Sequence, residues 1–400
     1  MDKPIYLFLL FTIMTFFQSC KEDIKLSQIK TYKGNDISID ALDDFLKIQM
    51  DSLGIPALSI AIINDGEIAY HNALGVSTTT TNQKVDENSI FSAASLAKST
   101  TAFFVMRLSE KGIIDLDRPL YFYLPEKDLE IDQRYKNISA KMVLSHKTGF
   151  PNWRWFDKPP NNLEIDRGDF FMVDDPNSTF TYSGEAYAYL GRVIAHLNFV
   201  NMNELGDIFQ KEVAEPLEMK HAYVVWDDYL YNNKVFGHID GKALKKEGGG
   251  GLPYINSLMY GGLSTEANSY ANFLTSIMKG KGLHPETYKE MLSPHTVIPS
   301  DNVNYTEDGI THWGLGFGIK PMKNDTIYRH GGSVKGAQSE YAFSVKKKYG
   351  YVFFVNCEKG NEFNENLEKF LEMENNNYEK KQGITSFSHD KAHFFSPNHL

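Results

Sequence analysis

The stretch IFSAASLAKSTTAF, residues 90–103, decides how this chain is read, because it sets Ser95 and Lys98 one helical turn apart at the head of an apolar run. Residues at i and i+3 share a helix face, so hydroxyl and amine meet. A serine hydroxyl is a poor nucleophile at neutral pH, and a partly desolvated lysine with a depressed pKa is a base that can activate it. The spacing alone is weak, since Ser27/Lys30, Ser276/Lys279, Ser344/Lys347 and Ser388/Lys391 repeat it. Context separates Ser95 from these. Ser92, Ala93 and Ala94 are small enough to let other backbone come close, an apolar run follows from Ala102 to Leu108, and Gly112 supplies the helix stop. Ser95 is then expected in a first helical turn, where free N–H groups favour developing negative charge. The plain alternative is an ordinary amphipathic helix with a surface lysine.

Four hundred residues, 42% of them hydrophobic, suffice for a large core. The net charge of −10 argues against a nucleic-acid partner, because the electrostatic drive for such binding has the wrong sign. None of the twelve histidines falls in a His-Glu-x-x-His spacing, so neither a zinc site nor any other cofactor is expected. The glycines 248–251 lack the Lys-Ser/Thr that would complete a phosphate cradle and read as a loop.

The first twenty residues read as a targeting segment. Lys3 precedes an apolar stretch of 13 residues, Ile5 to Phe17, which is shorter than the ~20 residues a membrane-spanning helix needs. Cys20 directly after it resembles the lipidated cysteine of bacterial lipoproteins, although Phe17 and Gln18 depart from that pattern. Lys21, Glu22 and Asp23 resemble the surface-export signal of Bacteroidetes lipoproteins. The resemblance implies a lipid-anchored protein of the bacterial cell envelope, touching membrane through that lipid alone; plain secretion is the alternative. The only other cysteine, Cys357, then has no partner and reads as a small buried residue.

Beyond a polar tether over 21–38, a single domain is expected over 39–373, followed by a polar tail over 374–400. A helix over Asp40–Gln49 leads to two strand-like runs, from Ala57 to Ile63 and from Ile68 to His71, joined by the hairpin signal Asp65-Gly66. Strand-like runs return at Thr326–Arg329, Ser339–Val345 and Tyr349–Val355, before a helix at Glu362–Met373. The fold class is therefore α/β (α+β): an antiparallel sheet built from both chain ends, flanked by helices, with a mainly helical insertion.

Three further stretches follow Ser95 in order: VLSHKTGFP (143–151), FTYSGEAYAYLG (180–191) and RHGGSVKG (329–336). With Ser95-Leu96-Ala97-Lys98 they resemble the penicillin-recognising serine hydrolases, in the class C β-lactamase-like branch that also holds D-specific peptidases and esterases. GIPALSIA (54–61), GGLST (261–265) and WGLGFG (313–318) extend the resemblance over about Ile55 to Cys357. It implies a β-lactamase-like fold and an acyl-enzyme on Ser95. Lys98 would be its base, and Tyr182 would relay protons with a phenol pKa lowered by Lys98. The backbone N–H groups of Ser95 and Ser333 would form an oxyanion hole beside His330 and Gly332.

Two departures bear on substrate. Gly184 replaces an asparagine that would hold a side-chain amide, and His330 replaces a lysine that would hold a carboxylate, a role an imidazole fills less firmly. Small esters or D-amino-acid peptides and amides are favoured over penicillins. A β-lactamase proper, a DD-carboxypeptidase, a slowly deacylating sensor and a non-catalytic surface scaffold are the other readings. Lys147-Thr148-Gly149 spells a lactamase motif but lies before Tyr182 and is set aside, and His146 reads as structural. Trp153, Trp155, Phe156, Phe170 and Phe171 either wall an acyl pocket or pack a loop.

Overall fold

The computed structural model describes residues 27–160, 163–245 and 262–373. The chain enters through a hairpin, β1 (Gln28–Lys30) and β2 (Asp36–Ser38), and passes at once into α1 (Ile39–Leu53). Ser38 caps α1, its hydroxyl accepting from the Ala41 N–H at 3.2 Å, and Gly54 ends the helix at φ +66°, which glycine adopts without strain. The expected tether over 21–38 is thus corrected from Gln28 onward. Tyr32 is why: its N–H donates to Leu371 O at 2.9 Å and its hydroxyl to Asp325 Oδ2 at 2.8 Å, tying both chain ends together. The targeting segment with Cys20, the glycines 248–251 and the tail over 374–400 lie outside the described residues.

β3 (Ala57–Asn64) and β4 (Glu67–Thr78) form the expected hairpin, with Asp65 at φ +53° and Gly66 at +79°, both positive as a type I′ turn requires. After β5 (Gln83–Lys84) and β6 (Phe91–Ser92) the chain enters the helical insertion through α2 (Ala97–Glu110), α3 (Ala140–Leu144), α4 (Gly184–Leu197) and α5 (Leu205–Phe209). β7 (Ala222–Tyr223), α6 (Asp228–Asn233) and the small pair β8 (His238–Ile239) and β9 (Lys242–Ala243) follow. β10 (Ser264–Thr265) lies between β6 and β7, and α7 (Ala267–Lys279), α8 (Pro285–Leu292), β11 (Thr296–Val297) and the short α9 (Val303–Thr306) lead back to the sheet. β12 (His312–Trp313), β13 (Gly318–Met322), β14 (Asp325–Val334), β15 (Ala337–Ser344), β16 (Tyr349–Val355) and α10 (Gly360–Phe370) complete the order.

The main sheet has nine antiparallel strands in the order β11-β12-β13-β14-β15-β16-β3-β4-β5, so β16 pairs with β3 and closes the sheet from both chain ends. β3 and β16 are buried on both faces, which is why they read as nearly unbroken apolar runs rather than alternating ones, whereas β15 is buried as fully but carries Gln338, Ser339, Glu340 and Ser344. α1 and α10 cover one face through Leu42, Leu46, Phe363 and Leu367, while α2 and α7 cover the other through Phe103, Phe104, Tyr270 and Phe273. Fully burying each such side chain contributes roughly 1.5–3 kcal/mol. Between the α2 side of β14 and the start of α2 lies the site.

Candidate active site

Ser95 sits in a single 3₁₀ turn, Ala94–Leu96, that feeds directly into α2. Three bonds from separate elements hold that turn: Ala93 N–H donates to Leu263 O at 2.9 Å, Ser339 Oγ to Ala93 O at 2.8 Å, and Tyr270 hydroxyl to Leu96 O at 2.9 Å. Ala94 is held at φ +48°, a left-handed value costly for a residue with a Cβ. β14 presses against it. A Cβ on Gly332 would stand 2.6 Å from Ala93 O and 2.4 Å from Ser339 Oγ, so only glycine lets the strand approach the nucleophile this closely. Ser333 is the next residue on that strand and is half-buried.

Lys98 lies one turn beyond Ser95, 1% exposed, with Nζ donating to Ser95 Oγ at 3.3 Å. Burial pushes its pKa down to about 7 from 10.5, because the ammonium loses its water. Tyr182 hydrogen-bonds Ser95, and Lys98 Nζ stands 4.8 Å from the centre of its ring. The structure brings together all three residues that the sequence singled out for chemistry. One expectation is overturned: burial pushes the Tyr182 phenol up, not down, and outweighs the lowering effect of its hydrogen bond with Ser95.

His330 lies beside them. It is 4% exposed, and burial together with Lys98 pushes its pKa down to about 3, so it is a neutral ring at neutral pH. Its Nδ1 lies 2.7 Å from Gly331 O, which can only accept, so Nδ1 carries the proton and Nε2 is left as a bare acceptor. His330 therefore offers a carboxylate no positive charge.

His146 holds Tyr182 in place. Its Nδ1 accepts from Ser183 N–H at 3.1 Å, its carbonyl from Thr181 N–H at 2.8 Å, and its ring centre lies 4.3 Å from that of Tyr182. Burial pushes its pKa well below the ordinary histidine value, so it too is neutral, as the structural reading expects. Trp313 closes the box, 6.2 Å from the Tyr182 ring and 5.1 Å from the His330 ring.

Gly184 opens α4, and the segment before it occupies every nearby group. Gly184 N–H donates to Asn152 Oδ1 at 2.9 Å, Glu185 N–H to Asn152 O at 3.2 Å and Ala186 N–H to Ser183 Oγ at 3.0 Å, leaving this helix start no first-turn donor for a substrate anion. A Cβ on Gly184 would lie 2.6 Å from the Trp153 ring. The indole fills the space that a side chain at 184 would need. Phe170 and Phe171 are only 2% exposed and belong to the core, whereas Trp155 and Phe156 are each 46% exposed. Asn152 carries no motif of its own, and Trp313 entered only as the first residue of WGLGFG with no role attached, so sequence reasoning gave them no role in the site; only the fold sets them beside Tyr182. Cys357 is buried just beyond β16, with its thiol pushed up to about 11.

Comparison with known proteins bears on the family and the fold. A family model described as Beta-lactamase matches residues 42–371. Unguisins hydrolase ungD' of Aspergillus campestris is 24% identical over 348 residues, 79% of this chain and 62% of that protein. Beta-lactamase-like protein 4 of Dictyostelium discoideum is 24% identical over 397 residues, 88% of this chain and 66% of that protein. The chain thus spans a little under two thirds of these relatives' lengths. Among solved structures, the octameric penicillin-binding protein homologue from Pyrococcus abyssi superposes with a TM-score of 0.67 at 21% identity, over 80% of this chain and 74% of that one. The class C beta lactamase from Rhodobacter sphaeroides does so with 0.67 at 15% identity, over 84% of this chain and 99% of that one. The two superpositions speak for the fold. The family match runs from within α1 to the residue after α10, taking in the sheet, the helical insertion and the site between them, and the chain therefore belongs to the beta-lactamase family.

Proposed function

We propose that the protein is a serine hydrolase that acylates Ser95, acting on small esters or uncharged D-amino-acid amides. The observation that carries this reading is the Lys98 amine, buried, hydrogen-bonded to Ser95 Oγ and half neutral near pH 7. Neutral Lys98 takes the Ser95 proton as Oγ forms a bond to the substrate carbonyl carbon, and the carbonyl electrons move onto its oxygen. Tyr182 stays protonated throughout the resting state. It lends its proton to the departing alkoxide or amine and recovers one from Lys98 as the C–O or C–N bond breaks. Water then attacks the acyl-enzyme by the same route in reverse, leaving the acid product and free Ser95. The N–H groups of Ser95 and Ser333 are assigned to the oxyanion.

The preference for uncharged substrates rests on His330 being neutral and on the α4 start being filled by Asn152. Lipid attachment at Cys20, and with it an envelope location, remains part of the same proposal. A fluorophosphonate probe tests the nucleophile: it is expected to label the wild type at Ser95 and leave Ser95→Ala unlabelled. Label on another serine would refute the assignment. Turnover of nitrophenyl butyrate, D-alanyl amides and nitrocefin then ranks the substrates, and an enzyme fastest on nitrocefin would overturn the preference.

A further inference from the structure

Arg329 precedes His330 on β14 and points to the opposite face of the sheet, where it is 3% exposed and plays no part in the chemistry above. A buried guanidinium must be paired, and this one is paired widely. It hydrogen-bonds Glu340 on β15, lies 3.2 Å from Glu368 Oε1 on α10, and 3.4 Å from Asp308 Oδ1. It also donates to Asp308 O at 3.2 Å. Lys320 on β13 faces Glu368 at 3.8 Å, and the Tyr351 hydroxyl on β16 donates to Glu368 at 3.1 Å. Most of these partners sit on rigid sheet or helix. Asp308 does not.

Asp308 belongs to the segment between β11 and β12 that carries α9, and this segment walls the site. Its Ile298 and Ile310 pack with Phe180 and Trp313 into a small apolar cluster, against which Tyr182 and Tyr305 lie. The segment's own bonds are mostly local: Gly309 N–H to Tyr305 O at 3.2 Å and Ile310 N–H to Asn304 O at 2.9 Å. Val303 at its tip is 56% exposed. A segment held by local bonds opens easily unless something fixes it to the body of the fold.

We propose that Arg329 is a positioning residue, which pins the 299–310 segment to the sheet through Asp308 and so sets the apolar wall packed on Tyr182. The guanidinium suits this because its rigid fork spans several acceptors at once, which an ammonium cannot. One strand thereby serves both sides of the sheet, His330 in the site and Arg329 behind it. The part of this inference that concerns substrate rests on the hydrolase reading; the tie itself does not.

The test uses the full chain with Asp308→Ala, Asp308→Glu and Arg329→Lys. Asp308→Ala removes the carboxylate part of the tie and leaves Arg329 its bond to the backbone carbonyl of residue 308 and its pairing with Glu340 and Glu368, so the fold is retained. Hydrogen exchange of the amides over 299–311 is expected to quicken about ten-fold in Asp308→Ala, with KM for nitrophenyl butyrate rising about five-fold and kcat holding within about two-fold, the pattern of lost binding rather than lost chemistry. Asp308→Glu should recover most of both changes, and Arg329→Lys should behave as Asp308→Ala does. Unchanged exchange in both Asp308→Ala and Arg329→Lys overturns the proposal, as does faster exchange with an unchanged KM. Should the wild type neither turn over esters nor take the fluorophosphonate label, the hydrolase reading falls while exchange still decides the tie.

Discussion

At the scale of single residues the site is a set of bases stripped of water. Lys98, His146 and His330 are all pushed down by burial, so the site approaches zero charge at neutral pH, and the proton on Ser95 has one strong acceptor to go to. The rate should therefore follow the neutral amine. We expect kcat/KM to rise with pH through a midpoint near 7, and a profile flat from pH 5 to 9 would remove Lys98 as base. Stability should rise with pH as well, over a higher range. Lys98 has a folded pKa of about 7 against 10.5, so the fold meets no penalty above pH 10.5 and loses stability progressively as pH falls from there to about 7. Lys98→Met keeps the volume and removes the charge; it should abolish turnover yet stabilise the protein by roughly 2–4 kcal/mol at pH 7, and by far less at pH 10. A lower melting temperature for this variant at pH 7 would contradict the account. Tyr182→Phe should leave the fold intact and cut turnover ~10²–10⁴-fold, since it deletes the proton that the buried phenol retains.

Among elements, the decisive join is that of α4 with the segment before it. The sequence displays Tyr182, Ser183 and Gly184 as a motif, but it does not display why position 184 is bare. Trp153 lies against it, and Arg154 fixes that segment by pairing with Glu185 at 3.1 Å on the same helix and with Asp128 at 2.8 Å. Gly184→Asn should therefore destabilise the protein by about 1–3 kcal/mol through overpacking, and Trp153→Ala in the same chain should restore much of the loss. Melting temperatures of the two single variants and the double decide this, and additive losses would show that the ring and position 184 do not compete for space. The pattern of what was legible follows from the same physics. Strands at both chain ends and the turn at Asp65-Gly66 are written locally, in apolar runs and positive-φ residues. Ser95 and Lys98 are legible in their i, i+3 spacing, and Tyr182 only through the resemblance its motif carries. The protonation state of Tyr182 and His330 is not, for it depends on how completely distant helices and strands exclude water. Asn152 acts through an amide oxygen and a carbonyl, groups that nothing nearby in sequence distinguishes.

For the whole molecule the question is where the folded unit begins, because the anchor proposed at Cys20 lies only a few residues before a structural piece. A polar run such as 21–38 reads as a tether on composition, yet Tyr32 is 9% exposed, with the Lys347 ammonium 3.8 Å from its ring centre and Asp325 on its hydroxyl. Asn35 Nδ2 donates to Glu372 at 2.7 Å, and Ile39 N–H to Ser27 O at 3.0 Å. The hairpin therefore seals the edge where the end of α10 meets the sheet. Two cuts separate anchor from seal. Removing residues 1–26 should leave melting temperature and Ser95 labelling as in the full chain while moving the protein from the membrane fraction to the soluble one, and Cys20→Ala should do the same through loss of the lipid. Removing residues 1–38 takes away the hairpin and its buried ring, together with the Ser38 cap of α1, and should cost several kcal/mol in all, since the cap alone is worth about 1 kcal/mol and the tyrosine roughly 2 more. Fluorophosphonate labelling and thermal melts of both truncations, alongside fractionation, decide the matter. Equal melting temperatures for the two would make the hairpin a passenger, and a membrane-bound Cys20→Ala protein would place the anchor in the apolar stretch itself.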